Sequence, residues 1–393
     1  MTALTNNLLS SEERHAVIEM RHAMHREPEL SNNEWKTQAR IRDALEAFGL
    51  TGSKAFHQTG LYIDIEGLAE GPCRSVALRG DIDALPIQEQ RDDLSYQSVL
   101  PGRMHACGHD MHTSIALGAA LALHRMRTDF SGRVRVFFQP AEEMEPVGGL
   151  SVLKEKLLDG FDAAVGMHIM PSIPSGVYGA RPGAATKSAD QFDVTFKGLM
   201  AHGAMPHEGV DAIAIAAAFI NEVQKVASRE FPGDDGVIVT IGTVHGGEAR
   251  NIICSSVLLT GTIRTTSLVR RAHLVRRVRE VAEGIAATHR GEAVFTSHLG
   301  DPPVINDAGM VALFRDLVLE TVGESKFVEP PALSGSDDFG YYSSRVPSIY
   351  FWFGSQEPGY ETGLHTPTFG ASDDLLIPTT ELAIRYCQLL LRK

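Results

Sequence analysis

Three histidines, a cysteine and an aspartate fall within eleven positions in MHACGHDMHTS, Met104 to Ser114, just ahead of an apolar run with helical spacing. Cys107 and His109 stand two residues apart where a helix is expected to begin near Asp110. Both can turn towards the positive end of that helix, where a thiolate is favoured. Further on, FFQPAEE sets Glu142 beside Glu143 at the end of an apolar strand. Adjacent carboxylates repel each other unless a cation or a proton lies between them. One of the pair fixing a metal ion while the other carries a proton resolves the repulsion, and a hydrolytic metal site needs that division of labour. His168 follows the strand AAVGM, and His365, in GLHTPTF, follows SIYFWFG after a loop.

One histidine among sixteen is ordinarily a surface or core residue, so the signal lies in the group. Cysteine, histidine and glutamate donors together suit Zn²⁺ or another late first-row divalent ion, whereas Mg²⁺ and Ca²⁺ demand oxygen. Five candidate ligands, Cys107, His109, Glu143, His168 and His365, exceed what one tetrahedral ion with an open position can use. Two ions per subunit, drawn from zinc, manganese, cobalt or nickel and sharing a thiolate or a water, is the economical count. His105 and His112 are expected to be structural or to support ligands, and Met111 onward reads as core.

These side chains need a scaffold that collects them on one edge. From Ser11 to about Pro28 and from Glu34 to Phe48 the spacing predicts helices, and then short apolar strands alternate with helical stretches as far as FDAAVGMHI. Such alternation predicts an α/β catalytic domain with a largely parallel sheet flanked by helices. In sheets of that kind ligands bind beyond the carboxyl ends of the strands, where SVALRG leads to Asp81 and Asp83 and VRVFFQPA to Glu142 and Glu143. From Gln191 the order becomes βαββαβ, the split arrangement of a small ferredoxin-like α+β domain. The expected division is residues 1–188 and 301–393 for the catalytic domain, with an inserted lid or dimerisation domain at 189–300.

At 393 residues the chain exceeds what one core ordinarily supports, which agrees with two domains. A net charge of −13 argues against a nucleic-acid partner. The start, MTALTNNLLSSEER, has neither the basic nor the apolar region of an export signal, and no run is long enough to span a bilayer. A cytoplasmic location without membrane attachment is expected. The four scattered cysteines then read as thiols, not as disulfide partners.

The motifs RHAMHREPELSNNE, LRGDIDALPIQE, MHACGHDMHT, FFQPAEE, GMHIMP, AHGAMPHEGVDAI, GTIRT, GSDDFGYY and GLHTPTF occur in the order found in the M20 metallopeptidase family. The resemblance covers nearly the whole chain and is nearer the amidohydrolase branch, with its hippurate hydrolases, N-acyl-amino-acid deacylases and auxin-conjugate hydrolases. By that resemblance Cys107, His109, Glu143, His168 and His365 match metal ligands, with Cys107 where other members have a bridging aspartate, and Glu142 matches the general base. His202 matches a lid-domain histidine that reaches the partner subunit's site to polarise the scissile carbonyl. Asn251 and Arg264 resemble the groups that hold the substrate carboxylate, and Asp83 resembles an aspartate that orients a ligand or the base. Met200 and Ala201 stand where the family shows glycines, Cys254 where proline is common, and Asp337 where glutamate is usual.

The resemblance implies a homodimeric, metal-dependent amidohydrolase that cleaves N-acyl amino acids to a carboxylic acid and a free amino acid. Three alternatives stay open on the sequence. They are a dipeptidase or aminopeptidase of the same family, a site in which Cys107 is a nucleophile paired with His109, and a catalytically silent metal-dependent binding protein.

Overall fold

The computed structural model describes residues 7–360 and 362–392; residues 1–6, part of the stretch in which no export signal was read, lie outside it. The chain divides into two compact units. Unit 1 takes the chain up to Gly183, then Ile305–Pro331, then everything from Asp338 on; unit 2 takes Ala184–Val304 and Ala332–Asp337. The expected break points at 189 and 300 thus move outwards, and the short piece 332–337 changes sides. Backbone pairing is the cause: Leu333 N–H donates to Ala185 O at 2.8 Å and Lys187 N–H to Gly335 O at 3.0 Å, which ties that piece to the segment entering unit 2.

Unit 1 begins with α1 (Ser11–Arg26) and α2 (Trp35–Ala47), then β1 (Lys54–Phe56), β2 (Gly60–Glu66) and β3 (Ser75–Asp81). It continues through α3 (His109–Arg125), β4 (Arg133–Gln139), α4 (Gly148–Lys154), β5 (Ala163–Pro174) and β6 (Tyr178–Gly179). After β7 (Gly183–Ala184) come β8 (Asp190–Lys197), α5 (Ala212–Arg229), β9 (Ile238–Gly246), β10 (Ser256–Arg264), α6 (Leu268–Thr288) and β11 (Glu292–His298). The last part holds β12 (Ile305–Asn306), α7 (Ala308–Thr321), β13 (Phe327–Val328), α8 (Gly340–Ser343), β14 (Ser348–Gln356) and α9 (Leu376–Arg392). Helix α7 was not assigned from the sequence.

The sheet of unit 1 runs β1-β2-β4-β3-β5-β14-β6-β13, and its centre, β4-β3-β5-β14, is parallel throughout. Strand β3 is buried along its whole length, and β5 and β14 are buried over their first eight residues. Strands covered on both faces read as unbroken apolar runs, which is why SVALRG and SIYFWFG show no polar alternation. Helix α3 is buried from His109 to Leu123 and packs against α1, α9 and β3, so a helix apolar on all sides is what its place requires. Its partner α1 starts in a reciprocal cap: Glu13 N–H donates to Ser10 Oγ at 3.1 Å and Ser10 N–H donates to Glu13 Oε2 at 2.7 Å. Such a cap is worth about 1 kcal/mol.

Unit 2 has the order β11-β8-β10-β9 with every pair antiparallel, which is the ferredoxin-like arrangement of a βαββαβ chain. Phe192, Val194 and Phe196 alternate inwards along β8 and form a core with Ile215 and Phe219 of α5 and Leu274 and Val278 of α6. Strand β9 lies at an edge of this sheet. Among the described residues no helix is long and apolar enough to cross a membrane.

Candidate metal centre

The parallel strands of unit 1 deliver the candidate residues to one place. Asp81 ends β3 and Asp83 follows it; Glu142 and Glu143 follow the end of β4; His168 lies within β5 and pairs in register with Trp352 of β14. Cys107 and His109 flank Gly108, the residue that caps α3 in the left-handed conformation at φ 83°. A Cβ on Gly108 would stand 2.5 Å from Ile169 Cγ2, so both the turn and the close approach to β5 require glycine there. His365 comes from the loop after β14, held at φ 59° with its N–H donated to Ala106 O at 2.8 Å.

Cys107 is the hub. Its Sγ lies 3.3 Å from His168 Nε2 and 3.3 Å from His365 Nε2. Glu143 Oε1 is 3.0 Å from His365 Nε2 and 4.0 Å from His109 Nε2. Ligand atoms of Cys107, His109 and His168 fall within 4.8 Å of one another, as do those of Cys107, Glu143 and His365, and those of His109, Glu142 and Glu143. A thiolate and an imidazole on one tetrahedral zinc ion stand roughly 3.5 Å apart, close to the sulfur–nitrogen spacing found here. Because Cys107 belongs to two of these triplets, it can bridge two ions.

The ring nitrogens are placed as metal donors would need. His109 Nδ1 meets Asp83 O at 3.0 Å and Asp83 Oδ1 at 3.1 Å, two acceptors, so Nδ1 keeps its hydrogen and Nε2 is the nitrogen left for an ion once its own proton is displaced. Among the described residues that buried Nε2 has no hydrogen-bond partner, and neither has Glu143 Oε1, whose contact with His365 is not directed as a hydrogen bond. His168 likewise donates from Nδ1 to Ile169 O at 2.6 Å, which aims its Nε2 lone pair at Cys107. Buried polar atoms without partners are costly, and a cation among them removes that cost.

His112 differs. Its Nδ1–H donates to Asp81 Oδ1 at 2.7 Å while Nε2 accepts from Ile169 N–H at 2.9 Å, so no lone pair remains for an ion. It ties β3 to β5 beneath His168, a structural place of the kind expected of it. His105 is buried, neither of its ring nitrogens has a hydrogen-bond partner among the described residues, and burial drives its imidazolium down to about 4.

Electrostatics point the same way. Burial pushes the Cys107 thiol well above its usual range, and the charges of Glu143, Glu142 and Asp81 push it further. Burial also disfavours the His109 imidazolium, but Asp81, Asp83 and Glu143 overcome it and raise the group to about 10. Burial, helped by His112, keeps His168 well below its usual range and neutral. The negative potential that raises His109 attracts a dication equally, and a bound dication would turn the thiol into a thiolate. Without a cation, the Cys107 pair lacks the thiolate that a nucleophilic reading needs.

The three remaining candidates lie in unit 2. His202 pairs with Ile252 across an isolated bridge, and Gly203 N–H donates to Asn251 O at 2.8 Å, so exposed His202 and Asn251 share one pair of extended segments. These segments prolong the β8–β10 ladder beyond Ser256 through Gly198–Ser255 and Ile253–Ala201 bonds. Arg264 ends β10 at the other extremity. Eight steps of about 3.3 Å put the strand ends roughly 26 Å apart, so one copy of unit 2 cannot set Asn251 and Arg264 on the same small carboxylate. Among the described residues the Arg264 guanidinium meets no carboxylate; Nη1 makes only a 3.5 Å contact with Ser334 O.

Several residues that hold the centre were missed in the sequence. Arg79, buried, reaches Asp81 Oδ2 at 2.6 Å and Asp338 Oδ1 at 2.8 Å, and Asp338 in turn takes Gln139 Nε2 and Gly149 N–H. A charged residue in the otherwise apolar SVALRG and the acidic pair in GSDDF were the available signals. Glu34 and Ser31, in PELSNNE, also turn inward to the loops of the site.

Residues 77–388 match the model of peptidase family M20/M25/M40. A protein of Sinorhizobium fredii named uncharacterized hydrolase y4tI is 65% identical over 98% of this chain and 96% of its own length. The N-acetyl-L-cysteine deacetylase of Bacillus subtilis is 36% identical over 92% of this chain and 85% of its own. The crystal structure of the YXEP protein of Bacillus subtilis, a dinuclear metal-binding peptidase of the M20 family, superimposes with a TM-score of 0.85 at 31% identity, covering 97% of this chain and 99% of that one. With a donor cluster of this composition and relatives of this kind, the chain belongs to peptidase family M20/M25/M40 and is an amide-bond hydrolase of its amidohydrolase branch.

Proposed function

We propose that this hydrolase cleaves the amide bond of N-acyl amino acids, N-acetyl, N-benzoyl or similar, to a carboxylic acid and a free amino acid. The observation that carries the reading is the position of Cys107 Sγ, 3.3 Å from both His168 and His365, beside Glu143 and the unpartnered Nε2 of His109. Cys107, His109, Glu143, His168 and His365 would hold two divalent ions, zinc, manganese, cobalt or nickel. Such ions supply a water acidic enough to attack at neutral pH and a Lewis-acid pull on the carbonyl oxygen. Glu142, within 4.8 Å of donor atoms of His109 and Glu143, takes the proton of the attacking water and returns it to the leaving amine nitrogen. Asp83 keeps His109 in the required tautomer. His202 donates to the oxygen on which negative charge develops.

Arg264 and Asn251 hold the substrate carboxylate by charge-assisted and neutral hydrogen bonds, and their separation along β10 supports a reading in which they come from two copies of the chain. The enzyme on this reading is a homodimer through unit 2. Strand β9 supports it: it is an edge, largely exposed, and next to it α5 presents Ile213, 50% exposed, beside Val244, also 50% exposed. The dimer would be a cytoplasmic enzyme of small molecules, with neither nucleic acid nor membrane as partner.

The test is a panel of N-acetyl, N-benzoyl and longer N-acyl amino acids against unblocked dipeptides, with elemental analysis of the same preparation. Turnover of blocked amino acids with two ions per chain is expected. Preference for unblocked dipeptides would make the enzyme a dipeptidase, and binding without turnover would make it a binding protein.

A further inference from the structure

The loop that carries Glu142 and Glu143 is turned by an unusual residue. Ala141, fully buried, sits in the left-handed region at φ 50°, a strained conformation for a residue with a Cβ. Something must hold it there. Its N–H donates to Glu34 Oε1 at 2.8 Å, and two residues on, Glu143 N–H donates to Asp83 Oδ2 at 3.0 Å. Ala141 O accepts from Gly148 N–H at 3.0 Å on the far side of the loop.

Glu34 is itself placed by its surroundings. Asn32 N–H donates to the same Oε1 at 3.0 Å and Thr59 Oγ–H to Oε2 at 2.7 Å. Ser31 Oγ–H, three residues before Glu34, donates to Asp83 Oδ2 at 2.7 Å, which links the two carboxylates. Gln38 of α2 bonds Gln58 O and Gly60 O, fixing the turn that presents Thr59. A Cβ on Gly60 would lie 2.6 Å from Pro140 Cδ, so glycine there lets the loop seat itself. Asn32 and Gln58 share the left-handed conformation with Ala141, at φ 65° and 62°. Three such non-glycine residues gathered around one carboxylate mark a conformation imposed from outside. Among the described residues the hydrogen bonds of the Glu34 carboxylate come from two backbone N–H groups and one hydroxyl, with no cation to offset its burial. Fold stability alone gives little reason to keep a carboxylate there.

We propose that Glu34 is a positioning residue for amide hydrolysis: by accepting the Ala141 N–H it locks the left-handed turn and thereby aims Glu142 and Glu143 into the centre. The assignment rests on the reading of Glu142 as base. Glutamine at position 34 keeps an acceptor for Ala141 and can donate to Thr59, so the charge is dispensable and the acceptor is not. Aspartate is one methylene short and draws the acceptor away.

The test compares Glu34→Gln, Glu34→Asp, Glu34→Ala and Glu142→Gln, each alone, and Glu34→Asp combined with Glu142→Gln. Measurements are kcat, KM, ion content and circular dichroism on the metal-loaded enzyme. A displacement near 1 Å at a reacting group costs about a hundredfold, so Glu34→Asp and Glu34→Ala are expected to lose about tenfold to a hundredfold in kcat with little change in KM. Glu34→Gln is expected to keep most of the wild-type kcat, and Glu34→Asp is expected to cost much less once Glu142 is glutamine, the remainder being its effect through Glu143. Should Glu34→Ala fail to fold, the Asp and Gln pair decides alone. A Glu34→Asp enzyme as fast as wild type, or a Glu34→Gln enzyme as slow as Glu34→Asp, overturns the proposal while a slow Glu142→Gln enzyme leaves the base in place. A fully active Glu142→Gln enzyme instead overturns the base assignment and the route through it.

Discussion

His25 offers a test of how unit 1 is held together. It lies on α1, almost fully buried, with Nδ1 2.8 Å from Asp110 Oδ2 and Nε2 3.0 Å from Glu89 Oε1. Two carboxylates on the two nitrogens require both ring hydrogens. Burial pushes the imidazolium down, but the hydrogen bonds and charges of Asp110 and Glu89 more than reverse this and raise it from 6.5 to about 9. Arg21 also faces Asp110, at 3.5 Å, and Tyr96 stands edge-on to the ring. At about 1.4 kcal/mol per pH unit the rise is worth about 3 kcal/mol, shared by the imidazolium and its two carboxylates. Since the folded value lies above the unfolded one, this stability is complete below pH 6.5 and is lost as pH rises through about 9. The assay is urea unfolding from pH 6 to 9.5, with chelator throughout, for wild type and His25→Gln. Both tryptophans, Trp35 and Trp352, belong to unit 1, so their fluorescence follows the unit that contains His25. Wild type should lose about 3 kcal/mol more than the variant between pH 6.5 and 9.5. Parallel curves for the two proteins would refute the reasoning.

Four further outcomes follow from the geometry. Glu142→Gln should lower kcat by about a hundredfold or more while ion content stays that of wild type, as elemental analysis will show. Ion binding near pH 7.5 should release about two protons per chain, one from the raised Cys107 thiol and one from His109, as calorimetry in buffers of different ionisation enthalpy will measure; absence of release would contradict the assigned donors. Asp83→Ala removes the acceptors of His109 Nδ1–H and Glu143 N–H together and should weaken ion affinity by about tenfold to a hundredfold in chelator competition. Mixing and reassembling inactive His202→Ala and Glu142→Gln proteins should restore activity if His202 serves the partner's site, and failure to complement would place it in its own.

What could be read in the sequence was whatever depends on residue type at a strand end. Cys107, His109, Glu143, His168 and His365 were singled out because soft and hard donors recur where parallel strands stop, and the structure brings their ligand atoms together. The βαββαβ order of unit 2 was legible because alternating strands such as QFDVTFK bury one face only. Less could be learned where pairing decides. Whether a histidine is a ligand or a strut depends on what meets its second nitrogen, and although His109 was separated from His112 by its place beside Cys107, the partners that decide, Asp83 for the one and Asp81 and Ile169 for the other, do not show in HDMH. The segment 332–337 changes units through two backbone hydrogen bonds that leave no mark in composition. Glu34 sits in a polar stretch that resembles a surface turn, and its burial follows only from the folding of two distant loops, those of Thr59 and Ala141, around it.

Cys107 and His365, which meet at the hub, are separated by 258 positions in the chain. During synthesis the amino-terminal elements emerge and begin to fold first, with Cys107, His109, Glu143 and His168 all present long before His365. A growing or prematurely ended polypeptide therefore owns the donors of two triplets, Cys107 with His109 and His168 and His109 with Glu142 and Glu143, but lacks the one that His365 completes. On the proposed assignment of His365 as a ligand, hydrolysis would wait for the carboxyl-terminal segment to dock, and an unfinished product of the ribosome would be inert towards the amides of its surroundings.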